Sequence, residues 1–254
     1  MFRLLHITDT HLYADAAGAQ RGVVTRASLE RVLDAALPGQ PDAVLVSGDL
    51  CQDESREGYR QLRGLFGRID APVICLPGNH DDLGLMQAEM TAEHIAVLGD
   101  HSLGRWRLLA TDCTIPGAVH GEYGEARIEA IDRALGELPT QPTLVALHHP
   151  PVPCGSRWLD QSRLQDGDAF MSMLARHAQV RAVLCGHIHQ PLDETVGHIR
   201  VMATPSTCRQ FATGSEGYAV DELAPGWRWL ELGDRTLETR IDRLDAAAFA
   251  AVRA

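Results

Sequence analysis

Carboxylates, an amide and imidazoles able to hold a transition metal recur in five short motifs along the chain. They are Asp9-Thr10-His11, Gly48-Asp49, Gly78-Asn79-His80-Asp81, His148-His149-Pro150-Pro151 and Gly186-His187-Ile188-His189. In extended chain, residues two apart face the same side, so Asp9 with His11 and His187 with His189 can each converge on one centre. Two carboxylates, one amide and four imidazoles exceed the three protein ligands of a single catalytic zinc. They suit two ions bridged by one carboxylate, at the ~3.5–4 Å separation of two-metal hydrolases. Nitrogen and oxygen ligands without thiolate point to Mn, Fe, Zn or Co rather than Mg or Ca. Two carboxylates leave such ions with excess positive charge, which suits a phosphoryl oxyanion.

Each motif follows an apolar, β-branched run. The pattern predicts strands at 2–8, 43–47, 73–76, 106–111, 143–147 and 180–185, with helices at 25–37, 55–68, 124–137 and 167–177. Alternation of this kind predicts an α/β fold whose sheet is covered on both faces, with its crevice at the C-terminal strand ends. Beyond residue 190 the expected elements are strands at 192–196, 199–203, 217–223, 227–232 and 236–243, read as a second, antiparallel sheet. Residues 245–254 fit either a terminal helix or a frayed tail. No linker divides the chain, so residues 1–254 are expected to form one domain.

The chain has 254 residues, of which 45% are hydrophobic and 22% charged, as in ordinary globular proteins. Its 23 Lys and Arg against 34 Asp and Glu give a net charge of -11, which argues against general nucleic-acid binding. No apolar run is long enough for a signal peptide or a membrane span, so a cytoplasmic protein without a membrane partner is expected. Six scattered Cys then read as reduced thiols, with Cys75 and Cys185 as small core residues. A lone His is more often structural than ligating, and His6, His94, His101, His177 and His198 are assigned so.

The ordered motifs D-x-H, G-D, G-N-H-D, H-H-P-P and G-H-x-H resemble the calcineurin-like metallophosphoesterase superfamily. Further segments narrow the resemblance to bacterial class III 3',5'-cyclic-AMP phosphodiesterases. These include GDLCQDES at 48–55, WLDQ at 158–161, ATPSTC at 203–208 and APGWRWLEL at 224–232. The resemblance implies a four-layer α/β/β/α sandwich of two mixed sheets flanked by helices. It places Asp9, His11 and His189 on one metal and Asn79, His148 and His187 on the other, with Asp49 bridging. Fe and Mn are the expected ions, with Zn or Co as alternatives.

The implied reaction turns cyclic AMP into 5'-AMP through in-line attack by hydroxide from a bridging or terminal metal-bound water, without a covalent intermediate. His80 would protonate the departing O3', a role worth roughly 10²–10⁴-fold, and Asp81 would either orient its ring or serve as a local turn or cap residue. Asn79, His80, His120, His149 and Thr204 are the expected substrate contacts. Glu122 and Trp158 are further candidates, the latter by stacking on adenine or by packing its loop. Alternatives are a phosphodiesterase for 2',3'-cyclic nucleotides or glycerophosphodiesters, a repair nuclease, and a non-catalytic scaffold. The acidic surface disfavours the nuclease, and the full ligand set disfavours the scaffold.

Overall fold

A computed structural model describes residues 1–254. The chain opens with β1 (Phe2–Ile7), the small hairpin β2 (Ala19–Gln20) and β3 (Val23–Val24), and α1 (Thr25–Ala36). It continues through β4 (Ala43–Ser47), α2 (Arg56–Phe66), β5 (Val73–Leu76), α3 (Leu83–Met90) and β6 (Ile95–Val97). Next come β7 (Gly99–Leu103), β8 (Trp106–Ala110), α4 (Gly124–Glu137), β9 (Thr143–Ala146), α5 (Arg157–Asp160), α6 (Gly167–Leu174) and β10 (Val180–Cys185). The last third holds β11 (Leu192–Val196), β12 (Ile199–Ala203), β13 (Gln210–Phe211), β14 (Val220–Asp221), β15 (Gly226–Leu232), β16 (Leu237–Arg243) and α7 (Ala246–Ala250).

Two six-stranded sheets dominate, in the orders β16-β15-β1-β4-β5-β6 and β11-β12-β10-β9-β8-β7. In the first sheet β1, β4, β5 and β6 run parallel, with β15 and β16 added antiparallel beyond β1; in the second β8, β9, β10 and β12 run parallel between the antiparallel edge strands β7 and β11. Strand periodicity sorts the side chains into layers. In the first sheet Leu5, Ile7, Val44, Val46, Val73 and Cys75 face α1 and α2, while Leu4, Leu45, Ile74 and Leu76 face the second sheet. That sheet answers with Leu108, Leu144, Ala146, Ala182 and Leu184, and turns Val145, Val183, Cys185 and Val201 towards α4 and α6. The result is helix, sheet, sheet, helix, with a continuous apolar seam between the sheets.

The strands at 43–47, 73–76, 180–185, 192–196 and 199–203 and the helix at 124–137 match their expected bounds. The strands after residue 190 do not form one antiparallel sheet of their own; only the short β13 and β14 pair separately. β11 and β12 extend the sheet that contains β10, whereas β15 and β16 cross over to pair beside β1. Leu230 and Leu232 enter the seam and Trp227 and Trp229 face the α1 side, so the edge strands complete both apolar faces. The expected strand at 217–223 shrinks to Val220–Asp221. The tail is helical: Asp245 caps α7 by accepting from Ala248 N at 2.8 Å, and Val24 N bonds Val252 O. No helix is long and apolar enough to cross a membrane.

Candidate metal centre

The parallel strands of both sheets end at one rim. There β1 delivers Asp9 and His11, β4 Asp49, β5 Asn79 and His80, β9 His148 and His149, and β10 His187 and His189. Backbone bonds from Asp9 N to Gly48 O (3.0 Å) and from His11 N to Asp49 O (2.9 Å) lock the first two loops together. Five of these side chains sit on left-handed backbone: Asp9 (φ 53°), His11 (48°), Asp49 (52°), His187 (69°) and His189 (49°). L-residues avoid that region, and its concentration here marks strain held in place by surrounding structure.

The side chains converge in two overlapping sets. On one side Asp9, His11 and His189 bring their ligand atoms within 4.8 Å of one another. His11 Nε2 and His189 Nε2 are 3.1 Å apart, and His189 Nε2 lies 3.3 Å from Asp9 Oδ1. On the other side His148 Nε2 lies 3.3 Å from Asp49 Oδ1, and Asn79 Oδ1 lies 3.1 Å from His187 Nδ1. Asp49 also approaches His11, with Oδ2 at 3.8 Å from Nε2, so it stands between the sets.

Hydrogen bonds behind the rings turn their lone pairs inward. His148 Nδ1 donates to Ser47 O (2.7 Å) and His189 Nδ1 to Arg209 O (2.6 Å), which turns each Nε2 towards the centre. His187 is held differently, by the Ser162 hydroxyl 3.0 Å from Nε2. Ser162 donates to Leu159 O at 3.1 Å, so its oxygen accepts the His187 Nε2 proton and Nδ1 is left free to ligate. Such outer partners typically govern metal affinity by 10–100-fold. Ser162→Ala is therefore expected to weaken metal binding at the His187 position by about 10-fold or more, read by titrating the metal-free protein with Mn(II).

The side chains fit a pair of cations. His148 Nε2 is buried and faces the Asp49 carboxylate without hydrogen-bonding it, a costly state for a polar atom unless an ion answers it. Burial holds His11 near 3 and drives His187 down as well, which keeps these rings in the neutral form that ligates. Burial would raise Asp49, but the facing imidazoles, His148 first, hold its carboxyl well below the usual range. Burial would likewise lower His148, but the Asp49 carboxylate outweighs it and raises the ring to about 9. The metal-free protein therefore carries a protonated His148 at neutral pH. Metal uptake must expel that proton, so affinity should rise between about pH 7 and 9. Calorimetry in buffers of different ionisation enthalpy should show about one proton released from this ring.

The neighbours of the ligands divide. His80 stands at the rim: its backbone N donates to Asp49 Oδ1 (3.0 Å), and the Gln52 amide, itself bonded to Gln20, lies 3.0 Å from its Nδ1. Of the two roles expected of Asp81, the structure shows the local loop contacts and not the orientation of that ring. Its carboxylate accepts from Leu50 N, Cys51 N, Gly78 N and the Tyr59 hydroxyl, so it staples the Asp49 loop to the Asn79 loop. Burial and the Asp49 charge push Asp81 up to about 6 against those donors.

His149 and Thr204 also depart from their expected substrate roles. His149 is buried behind the ligands, with Nε2 bonded to Val119 O (3.0 Å) and Nδ1 facing Cys113 Sγ (3.3 Å). Thr204 is fully buried, and its hydroxyl meets His6 Nδ1 at 2.7 Å. His6 Nε2 then reaches Ser47 Oγ at 2.7 Å, a polar tie between the sheets directly below the rim. His120 is half-buried in the loop before α4, and burial is what lowers the His149 ring. Ser162, Gln52 and Gln20 were not identified from sequence. No motif marks them, because each acts through a partner distant in the chain.

Beside Asn79 opens a cleft of about 580 Å3, bordered by Glu54, Asp82, Asp112 and Ile115. Arg127, at its edge, is consumed by the carbonyls of Asp112, Thr114, Glu122 and Tyr123. A cleft bordered by carboxylates disfavours a second phosphate.

Residues 2–191 match the family model described as calcineurin-like phosphoesterase. The chain is 40% identical to the 3',5'-cyclic adenosine monophosphate phosphodiesterase CpdA of Escherichia coli (strain K12), over 97% of its own length and 91% of the relative's. It is 39% identical to the protein of that name from Pseudomonas aeruginosa, with the same coverage. A 3',5'-cyclic-nucleotide phosphodiesterase of Nostoc is 32% identical over 95% of this chain and 92% of the relative. In fold it is similar to the crystal structure of a dimetal phosphatase from Danio rerio, with a TM-score of 0.67 at 14% identity, covering 92% of this chain and 93% of that one.

Proposed function

The chain belongs to the calcineurin-like phosphoesterase family, whose members use a dinuclear metal centre, and on that premise we propose that it hydrolyses 3',5'-cyclic AMP to 5'-AMP. The observation that carries this reading is the gathering of six inward-facing side chains from both sheets around Asp49, in a chain about 40% identical to cyclic-AMP phosphodiesterases along nearly all its length. Asp9, His11 and His189 would hold one ion, Asn79, His148 and His187 the other, and Asp49 both. Fe and Mn suit this mixed nitrogen and oxygen set. When bound, such a pair activates water and neutralises charge developing on phosphorus.

The rest is the protein's own work. The leaving group is the sugar O3', which departs poorly as an alkoxide, and His80 supplies its proton. The Gln52 amide nitrogen lies 3.0 Å from Nδ1 while its oxygen accepts from Gln20, so Gln52 fixes the ring and leaves Nε2 towards the rim. Asp81 keeps the Asp49 and Asn79 loops in register, so its contribution is geometric. His120 is a candidate contact for the sugar. The acid-bordered cleft favours a substrate with one phosphate over a polynucleotide. A cytoplasmic setting agrees with six free thiols, five of them buried. The test is hydrolysis of cyclic AMP by chelator-stripped protein before and after addition of Mn(II) or Fe(II). Turnover restored by the ion and absent without it is the expected result; a metal-loaded protein inert towards cyclic AMP overturns the reading.

A further inference from the structure

In a chain with only 5% aromatic residues, three gather beside one metal ligand. Phe211 stacks on the His189 ring, with centroids 4.4 Å apart and planes 24° from parallel. Tyr218 meets Phe211 edge-on at 5.8 Å, and Trp158 packs edge-on against both, at 5.0 and 5.4 Å. Trp158 is pinned, because its Nε1 donates to Ser215 Oγ at 3.0 Å. Phe211 and Trp158 thus form a supporting layer, while Tyr218 remains 55% exposed.

Arg21 joins this group from the β2–β3 hairpin. Its guanidinium lies 4.8 Å over Phe211 and 5.1 Å over Tyr218, and it forms no ion pair or side-chain hydrogen bond. Arg21 and Gly22 make the two-residue turn, at φ 50° and 80°. Such turns favour Asn-Gly, so an arginine here accepts backbone strain while placing its charge on the aromatic group. An exposed ring flanked by an unpaired planar cation is what a nucleobase recognises, through stacking and cation–π contact.

We infer that the exposed face of Tyr218, flanked by Arg21, seats the purine base of the nucleotide whose phosphate lies over the metal ligands. This rests on the cyclic-nucleotide reading above. The spacing agrees: in a mononucleotide one sugar separates phosphate from base, and here one aromatic layer separates His189 from Tyr218. Trp158 then supports the seat by packing and does not itself stack on the base.

The test compares wild type, Tyr218→Ala, Tyr218→Phe and Arg21→Ala, all metal-loaded and checked by thermal melting. Two readouts are KM and kcat for cyclic AMP, and calorimetric affinity for 5'-AMP and ribose 5-phosphate. Tyr218→Ala should raise KM about 10–100-fold with kcat changed far less, and weaken 5'-AMP to the level of ribose 5-phosphate. Tyr218→Phe, which keeps the ring, should restore both, and Arg21→Ala should weaken 5'-AMP alone by a few-fold. Unchanged 5'-AMP binding in Tyr218→Ala would overturn the seat, even if cyclic AMP is hydrolysed. Loss of the base preference in a protein that does not hydrolyse cyclic AMP would keep the seat and remove the substrate reading.

Discussion

Replacing His80 with alanine is expected to lower kcat on cyclic AMP by about 10²–10⁴-fold, the usual contribution of a positioned acid. The same variant should hydrolyse bis(p-nitrophenyl) phosphate within roughly 10-fold of wild type, because p-nitrophenolate leaves without a proton. The contrast separates proton delivery from damage to the metal centre. His80 reaches the rim through its ring, but its backbone N also supports Asp49 Oδ1, and that bond survives the substitution. Metal content should therefore stay at the wild-type level. Equal losses on both substrates would remove the acid role and leave His80 as a packing residue.

The second large effect is expected from Gly78→Ala. A methyl group there would overlap the Asp49 carboxylate and the Asp49 backbone N, and stand 2.8 Å from His148 Nε2. Backbone cannot yield as a flexible side-chain end can, so the Asp49 loop must move away from the Asn79 loop. Misplacement of about 1 Å in catalytic geometry can cost about 10²-fold. We expect at least that loss in kcat/KM, together with weakened binding of both ions, since Asp49 and His148 are displaced together. Gly64→Ala is the control: this exposed glycine of α2 has open space at its Cβ. It should keep full activity and gain up to about 1 kcal/mol of stability.

The motifs of the rim were legible because each lies immediately after a short apolar strand, where local pattern and tertiary role coincide. Val73–Leu76 followed by Gly78-Asn79-His80 shows this within residues 73–80. The destination of the late strands was not legible. β11 and β15 carry similar alternation, yet one extends the sheet of β10 and the other pairs with β1, a choice made by which edge remains open. The helix α3 was missed because Asp82 continues the polar run His80-Asp81, although it caps Leu85 N at 2.8 Å. Thr204 and His149 follow strands as the proposed ligands do. Their direction is set by His6 and by Val119 and Cys113, partners that local pattern does not reveal.

The left-handed ligand residues bear on how this protein can be engineered. Non-glycine backbone of this kind costs on the order of 1–3 kcal/mol per residue, and five such residues crowd the rim. Directed evolution towards heat tolerance alone would find easy gains there, for instance glycine in place of His11 or His189. Those survivors would be sturdy and inert. A useful campaign must select for turnover in every round and seek its robustness on the helical faces instead.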